Sequence, residues 1–341
     1  MTIHARLELL ERATLTGLLA LPEPAQRVLA GRRVVRDGQT LATDVQLSLR
    51  LKELVREPGP ETLPIAEGRT AVLRQAGLTG GEQAVGAVRD FEVAGRPARL
   101  YTPTTPGAGL LVFFHGGAWV YGDLESHDAV CRFLAERSGA RVLAVDYRLA
   151  PEHPFPAAYD DAVAAYRWAT EHAAELGADP ERLAVGGDSA GGCLAATTAI
   201  EAARTGLPLR FQLLVYPGTD LRGGTESRRT FAEGFYLTRR FMDVGTENYL
   251  DDPALVEDPR VSPLLADLPA GLAPAYVATA GFDPLRDEGE AYARKLAEAG
   301  VEVELRRFPD QIHGFLNIVG VGRTSRAAVA EIASRLRAGL A

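Results

Sequence analysis

Ser189 is the residue of this chain best placed to act as a nucleophile. It lies in the run Leu183-Ala-Val-Gly-Gly-Asp-Ser-Ala-Gly-Gly-Cys193, which contains Gly187-x-Ser189-x-Gly191. The apolar residues before it read as a strand that stops at two glycines, and the small residues after it read as a helix. Strand, sharp turn and helix together hold a serine in a strained conformation with its hydroxyl raised above a sheet. Side chains two residues before or after it would collide across such a turn, so glycine is needed at both places. The pattern alone is weak, and its partners must be found elsewhere in the chain.

A serine needs a base to remove its proton and a group to orient that base. On a parallel sheet of this kind the partners follow in the order Ser, then Asp or Glu, then His. His313 is the one histidine after Ser189, in Asp310-Gln-Ile-His313-Gly-Phe315, just past the last predicted strand. Imidazoles ionise near neutral pH, which suits a general base. Asp283 is the expected acid because it directly follows the predicted strand Ala275 to Thr279, and functional groups gather at the carboxyl ends of such strands. Asp287 and Glu288 are its rivals, although they begin a helix, where acids favour the helix dipole. A developing oxyanion also needs donors. His115-Gly116-Gly117-Ala118-Trp119 follows the strand Leu110 to Phe114, and adjacent glycines leave N–H groups uncovered. A further donor is expected from the N–H of Ala190, the residue after the nucleophile.

The elements that must position these groups alternate along the chain. Apolar strands are predicted at Leu110–Phe114, Val142–Val145, Leu183–Val185, Phe211–Val215, Ala275–Thr279 and Val301–Leu305, with helical segments between most of them. Continuous apolar strands separated by helices indicate a parallel sheet covered on both faces. A hairpin is expected at 89–101. Residues 1 to about 85 read as helices and loops, with leucines at roughly helical spacing from Leu7 to Leu19. The gap from Val215 to Ala275 is too long for a plain connection, so an insertion at about 220–262 is expected over the site, with a helix at Arg239–Tyr249.

Composition bounds the rest. The chain has 341 residues, 46% hydrophobic and 24% charged, enough for one large domain or for one domain with an appended smaller one. A net charge of −8 and a pI near 5.4 argue against nucleic-acid or anionic-membrane partners. No run reaches the roughly 18 apolar residues of a membrane span. The N-terminal leucines are interleaved with His4, Arg6, Glu8 and Arg12, unlike a signal peptide. A cytoplasmic protein is expected. Cys131 and Cys193 are the only cysteines and read as buried thiols.

Five ordered motifs resemble the hormonesensitive-lipase-like family of carboxylesterases within the α/β-hydrolase fold. They are His115-Gly-Gly-Ala-Trp119, Asp146-Tyr-Arg-Leu-Ala-Pro-Glu152 with Phe155-Pro-Ala157, Gly187-Asp-Ser-Ala-Gly191, Asp283-Pro-Leu-Arg-Asp-Glu288 and His313-Gly-Phe315. They span roughly residues 90 to 320. The resemblance implies a mostly parallel sheet of about eight strands, with a catalytic domain at 86–341. It implies a helical cap from residues 1–85 and the insertion. It implies a triad of Ser189, Asp283 and His313, and oxyanion donors at Gly116, Gly117 and Ala190. One departure is Ala118, where the family often has a third glycine; it is expected to narrow the alcohol side of the pocket.

The expected activity is hydrolysis of small-molecule carboxylic esters through an acyl-enzyme, without metal or cofactor. Acyl chains of roughly four to eight carbons should be preferred, because each buried CH₂ helps until the pocket ends. Trp119, Phe235 and Phe315 are candidate acyl-pocket residues, with Tyr121, Tyr236 and Phe282 beside them. Each is as readily ordinary core. A binding module that has lost its chemistry is the alternative class, with an amidase or deacetylase as a minor one. Gly187 to Gly192 fits a phosphate loop only until Cys193, where lysine is needed. His115, His127 and His153 lack metal-ligand spacing, and His115 is expected to brace the glycine turn. His4 and His172 read as surface residues. Asp188 and Asp160 either orient the oxyanion loop or face solvent. An exposed last strand at Val301–Leu305 would allow a homodimer.

Overall fold

Leu110-Leu-Val-Phe-Phe114 forms a strand with every residue buried. Its side chains alternate: Leu110, Val112 and Phe114 join one hydrophobic cluster, and Leu111 and Phe113 join another on the opposite face. That is the signature of a sheet covered on both sides. The structure, a computed structural model, describes residues 3–341, with side chains from Leu10 onward. The expectation for His4 lies outside the described side chains.

Eight strands build the sheet: β3 (Ala87–Val93), β4 (Arg96–Thr102), β5 (Leu110–Phe114), β6 (Arg141–Val145), β7 (Leu183–Asp188), β8 (Phe211–Val215), β9 (Ala275–Phe282) and β10 (Val303–Ile312). Their order is β10-β9-β8-β7-β5-β6-β4-β3. The pairings from β10 through β6 are parallel, and β4 with its neighbours β6 and β3 is antiparallel. Helices α6 (Ala157–Glu171), α7 (Ala190–Thr205) and α10 (Arg286–Glu298) cover one face, and α5 (Asp128–Ser138) and α11 (Thr324–Gly339) the other. This is the α/β-hydrolase fold. β10 runs well past the predicted Leu305. Exposed Glu304, Arg306 and Arg307 on this edge strand hide the apolar alternation that would have marked its length.

The N-terminal region supplies α1 (Ile3–Ala20), α2 (Glu23–Ala30), α3 (Thr43–Val55) and α4 (Ile65–Gly80), with a two-residue hairpin β1 (Val35–Arg36) and β2 (Gln39–Thr40) that the sequence did not announce. Asp44 on α3 ties this region down. Its carboxylate accepts from the N–H groups of Arg323 and Thr324, at 2.7 and 3.0 Å, where α11 begins. Those donors have no partner within a helix, and negative charge is favoured there. The long gap after β8 contains α8 (Glu226–Thr230) and α9 (Arg239–Tyr249). It is anchored by the buried Glu288 carboxylate, which accepts from Thr219 N at 2.9 Å and Arg228 Nε at 2.9 Å. A helical cap region thus joins the sheet. Cys131 and Cys193 are buried and free. Among the described residues, no helix is long and apolar enough to cross a membrane.

Candidate active site

Ser189 stands between the end of β7 and the start of α7 with φ +56° and ψ −118°. A non-glycine residue there stores about 1–3 kcal/mol of strain, held in place by its surroundings. The turn is possible because of its two glycines. A Cβ on Gly187 would lie 2.4 Å from the carbonyl oxygen of Phe114, and one on Gly191 would lie 1.9 Å from the same atom. The collision is with the end of β5, so the elbow is wedged against the neighbouring strand.

The serine hydroxyl faces His313. Ser189 Oγ lies 2.9 Å from His313 Nε2, and His313 Nδ1 lies 2.8 Å from Asp283 Oδ2. Asp283 is wholly buried after β9, and its other oxygen accepts from Leu285 N at 2.8 Å. A carboxylate accepts only, so Nδ1 carries the proton and Nε2 is left to take the serine's. The rivals have other partners: Asp287 accepts from Ser227 N at 2.8 Å, and Glu288 holds the insertion. Chemically, the arrangement can deprotonate a hydroxyl and hold the resulting imidazolium.

The oxyanion expectation needs one correction. Gly116 N donates to Asp188 Oδ1 at 2.8 Å and is therefore occupied. Among the described residues, the N–H groups of Gly117, Ala118 and Ala190 donate to nothing. Ala118 thus replaces Gly116 in the set of free donors. The signal was present as the family's third glycine, since Ala118 sits at φ +52°, a left-handed conformation that costs a non-glycine residue about 1 kcal/mol. Asp188 is a buried anchor for this loop, whereas Asp160 is exposed on α6. The Asp188 carboxyl is held below its usual range despite burial, because His127 and Gly116 N–H favour the charged form. His115 braces the turn, its Nδ1 2.8 Å from the carbonyl oxygen of Gly116. Burial, with His127 nearby, pushes it down to about 4, so it stays neutral.

A cavity of about 310 Å³ opens over Ser189, walled by Lys52, Glu61, Tyr236, Leu237, Phe241 and Gly117 among others. The three aromatic residues weighed as acyl-pocket candidates take the core alternative. Trp119 is stacked on Tyr249 at 4.5 Å. Phe235 packs with Phe231 and Phe282. Phe315 is wedged between Tyr216 and Phe308. Each points into the core, since position in the chain does not fix which side a ring takes. Tyr236, next to Phe235, is the one of the six that reaches the wall. Lys52 and Phe241 carried no motif and were missed. Among the described residues, no three His, Cys, Asp or Glu gather as a metal site.

Helix α9 leans directly on the oxyanion loop. A Cβ on Gly245 would sit 2.5 Å from Ala118 Cβ. Gly245→Ala should therefore displace Ala118 and lower kcat on the order of tenfold or more, since one misplaced donor is costly. Adding Ala118→Gly should restore most of the loss. Equal kcat for the single variant and the parent would show that the loop does not feel α9.

A sheet in this order, bent sharply at a serine before α7, is the architecture of α/β hydrolases, and the sequence matches the alpha/beta hydrolase fold family over residues 111–317. The chain belongs to that family, among its esterases and lipases. It is 47% identical over 334 residues to the carboxylic ester hydrolase LipN of Mycobacterium tuberculosis, covering 94% of this chain and 89% of that one. It is 42% identical over 228 residues to an ethyl acetate hydrolase of Pseudomonas putida, covering 65% and 72%. A solved ester-hydrolase from the Lake Arreo metagenome, complexed with a derivative of bipyridine phosphonate, superposes with a TM-score of 0.83 at 41% identity, covering 87% of this chain and 98% of that one.

Proposed function

We propose that this protein is a serine carboxylesterase that hydrolyses small carboxylic esters through an acyl-enzyme. The observation that carries the reading is the unbroken chain Asp283–His313–Ser189 beside three unused backbone N–H groups. Ser189 Oγ attacks the ester carbonyl as His313 Nε2 takes its proton. The carbonyl oxygen gains negative charge and accepts from Gly117, Ala118 and Ala190. Asp283 stabilises the imidazolium, which then protonates the leaving alcohol. Water enters, loses its proton to His313 and releases the acid, restoring Ser189.

Acyl chains of roughly four to eight carbons are the preferred substrates, because the cavity is walled on the cap side and added methylenes soon meet packed side chains. The same reading takes residues 1–85 and about 220–262 as the cap over a catalytic domain at 86–341. It places the protein in the cytoplasm, paired with a second copy through the open edge of β10, where Leu305 is 40% exposed. The test is a panel of 4-nitrophenyl esters of increasing acyl length, with matching anilides. Rates should peak at short to medium esters and be far lower for anilides. Faster anilide cleavage would identify an amidase, and no turnover of either would identify a binding protein.

A further inference from the structure

A second cavity of about 340 Å³ lies behind the first, between α1, α3 and α4. Its walls are largely apolar and include Leu15, Leu18, Leu51, Val55, Leu78 and Ile318. The first cavity is also mainly apolar but has Glu53, Arg56 and Glu61 in its walls as well. Lys52, Tyr236, His313 and Gly314 are among the residues that line both. The two spaces therefore share a wall, and that wall passes beside His313.

Tyr236 has the geometry of a partition. Its backbone is left-handed, with φ +78°, a conformation that persists in a bulky residue only when the surroundings enforce it. Its ring fills the space over Gly314, where an added Cβ would be 2.9 Å from Tyr236 Cε1. The Lys52 ammonium lies 5.0 Å from the ring centroid, within cation–π range. The neighbouring carboxylates are engaged elsewhere. Glu57 pairs with Arg74 at 2.8 Å, and Glu61 accepts from Thr238 Oγ1 at 2.7 Å. Lys52 has no ion pair within 4.0 Å among the described residues, and the tyrosine ring faces its ammonium.

We infer that Tyr236, held against Gly314 and under Lys52, is the specificity-determining wall that stops the ester's apolar chain at the first cavity and keeps it out of the second. The inference rests on the ester-hydrolase reading above. Removing the ring joins the two spaces into one about twice as large, with an apolar far end. Each further methylene that enters it should then raise kcat/KM about three- to fourfold.

The experiment compares kcat/KM from two to sixteen carbons in the parent, Tyr236→Ala and Tyr236→Phe, using 4-nitrophenyl acyl esters and, separately, alkyl acetates. The readout is the ratio of long to short substrate within each enzyme, so partial loss of folded protein cancels. Tyr236→Ala should move the optimum outward by four carbons or more in one of the two series. Tyr236→Phe, which keeps the ring, should leave it in place. Ala76→Trp, placed on α4 in the wall of the second cavity, should return the Tyr236→Ala profile to the parent's. An unchanged optimum in both series, or a Tyr236→Phe profile as extended as that of Tyr236→Ala, overturns the inference. If the parent turns over no ester, the failure belongs instead to the functional reading.

Discussion

Ser189→Ala is expected to lower kcat/KM for a 4-nitrophenyl butyrate substrate by about 10⁵–10⁶-fold, the scale of loss when a nucleophile acting with its base is removed. The fold should survive. Alanine tolerates the φ of +56° no worse than serine, and the elbow is held by Ser189 N donating to Val215 O at 3.0 Å, a bond the substitution keeps. The thermal midpoint should stay within a few degrees. An organophosphate should label the parent at Ser189 alone. Ser126 is the informative control, because its Oγ lies 3.1 Å from His127 Nδ1 and His127 Nε2 lies 3.3 Å from Asp188. It resembles a triad on paper, yet its oxygen is already bonded within its own turn to Asp123 N and O. A label on Ser126, or substantial turnover by Ser189→Ala, would refute the assignment.

The second large effect separates two nearby acids. Asp283→Asn should cost about 10⁴-fold in kcat, the magnitude expected when the base is held in the wrong tautomer. The amide oxygen would keep the bond from Leu285 N, at 2.8 Å in the parent. That leaves the amide NH₂ facing His313 Nδ1. The ring must then accept there, so Nε2 carries the proton and cannot take one from Ser189. Asp287→Asn keeps an oxygen to accept from Ser227 N and loses only the charged partner of Arg286. Its kcat should stay within about tenfold of the parent, because it touches none of the reacting groups. The reverse order of damage would move the acid to Asp287.

The sequence revealed the parts of this molecule that are fixed by local backbone geometry. Ser189 was legible because an elbow demands glycine at 187 and 191, and the reason proves to be the carbonyl of Phe114 on the next strand. His313 was legible because no other histidine follows the serine. Strands β5, β7 and β8 were legible because both their faces are buried, leaving unbroken apolar runs. What failed depended on contacts between distant segments. Nothing local to Gly116 shows that Asp188, 72 residues later, already holds its N–H. For Trp119, Phe235 and Phe315 pocket and core stay equally open in the sequence, because the direction of a ring is set by what packs on it. Lys52 and the second cavity arise where separate helices meet, and neither leaves a trace in any one stretch of sequence.

The contact between Gly245 and Ala118 also bears on how this enzyme can change over generations. Residues in α9 are an obvious place for substitutions that admit bulkier esters. Yet α9 is also the backing of a loop whose Ala118 holds a left-handed backbone at φ +52°. Substitutions that pull the helix away should loosen that loop, and those that enlarge position 245 should push it. Breadth of substrate and speed of turnover are therefore tied together through one helix. A lineage that first acquired glycine at 118 would relieve the strain and gain freedom to vary α9. Order of substitution, and not only their sum, should decide which specificities this chain can reach.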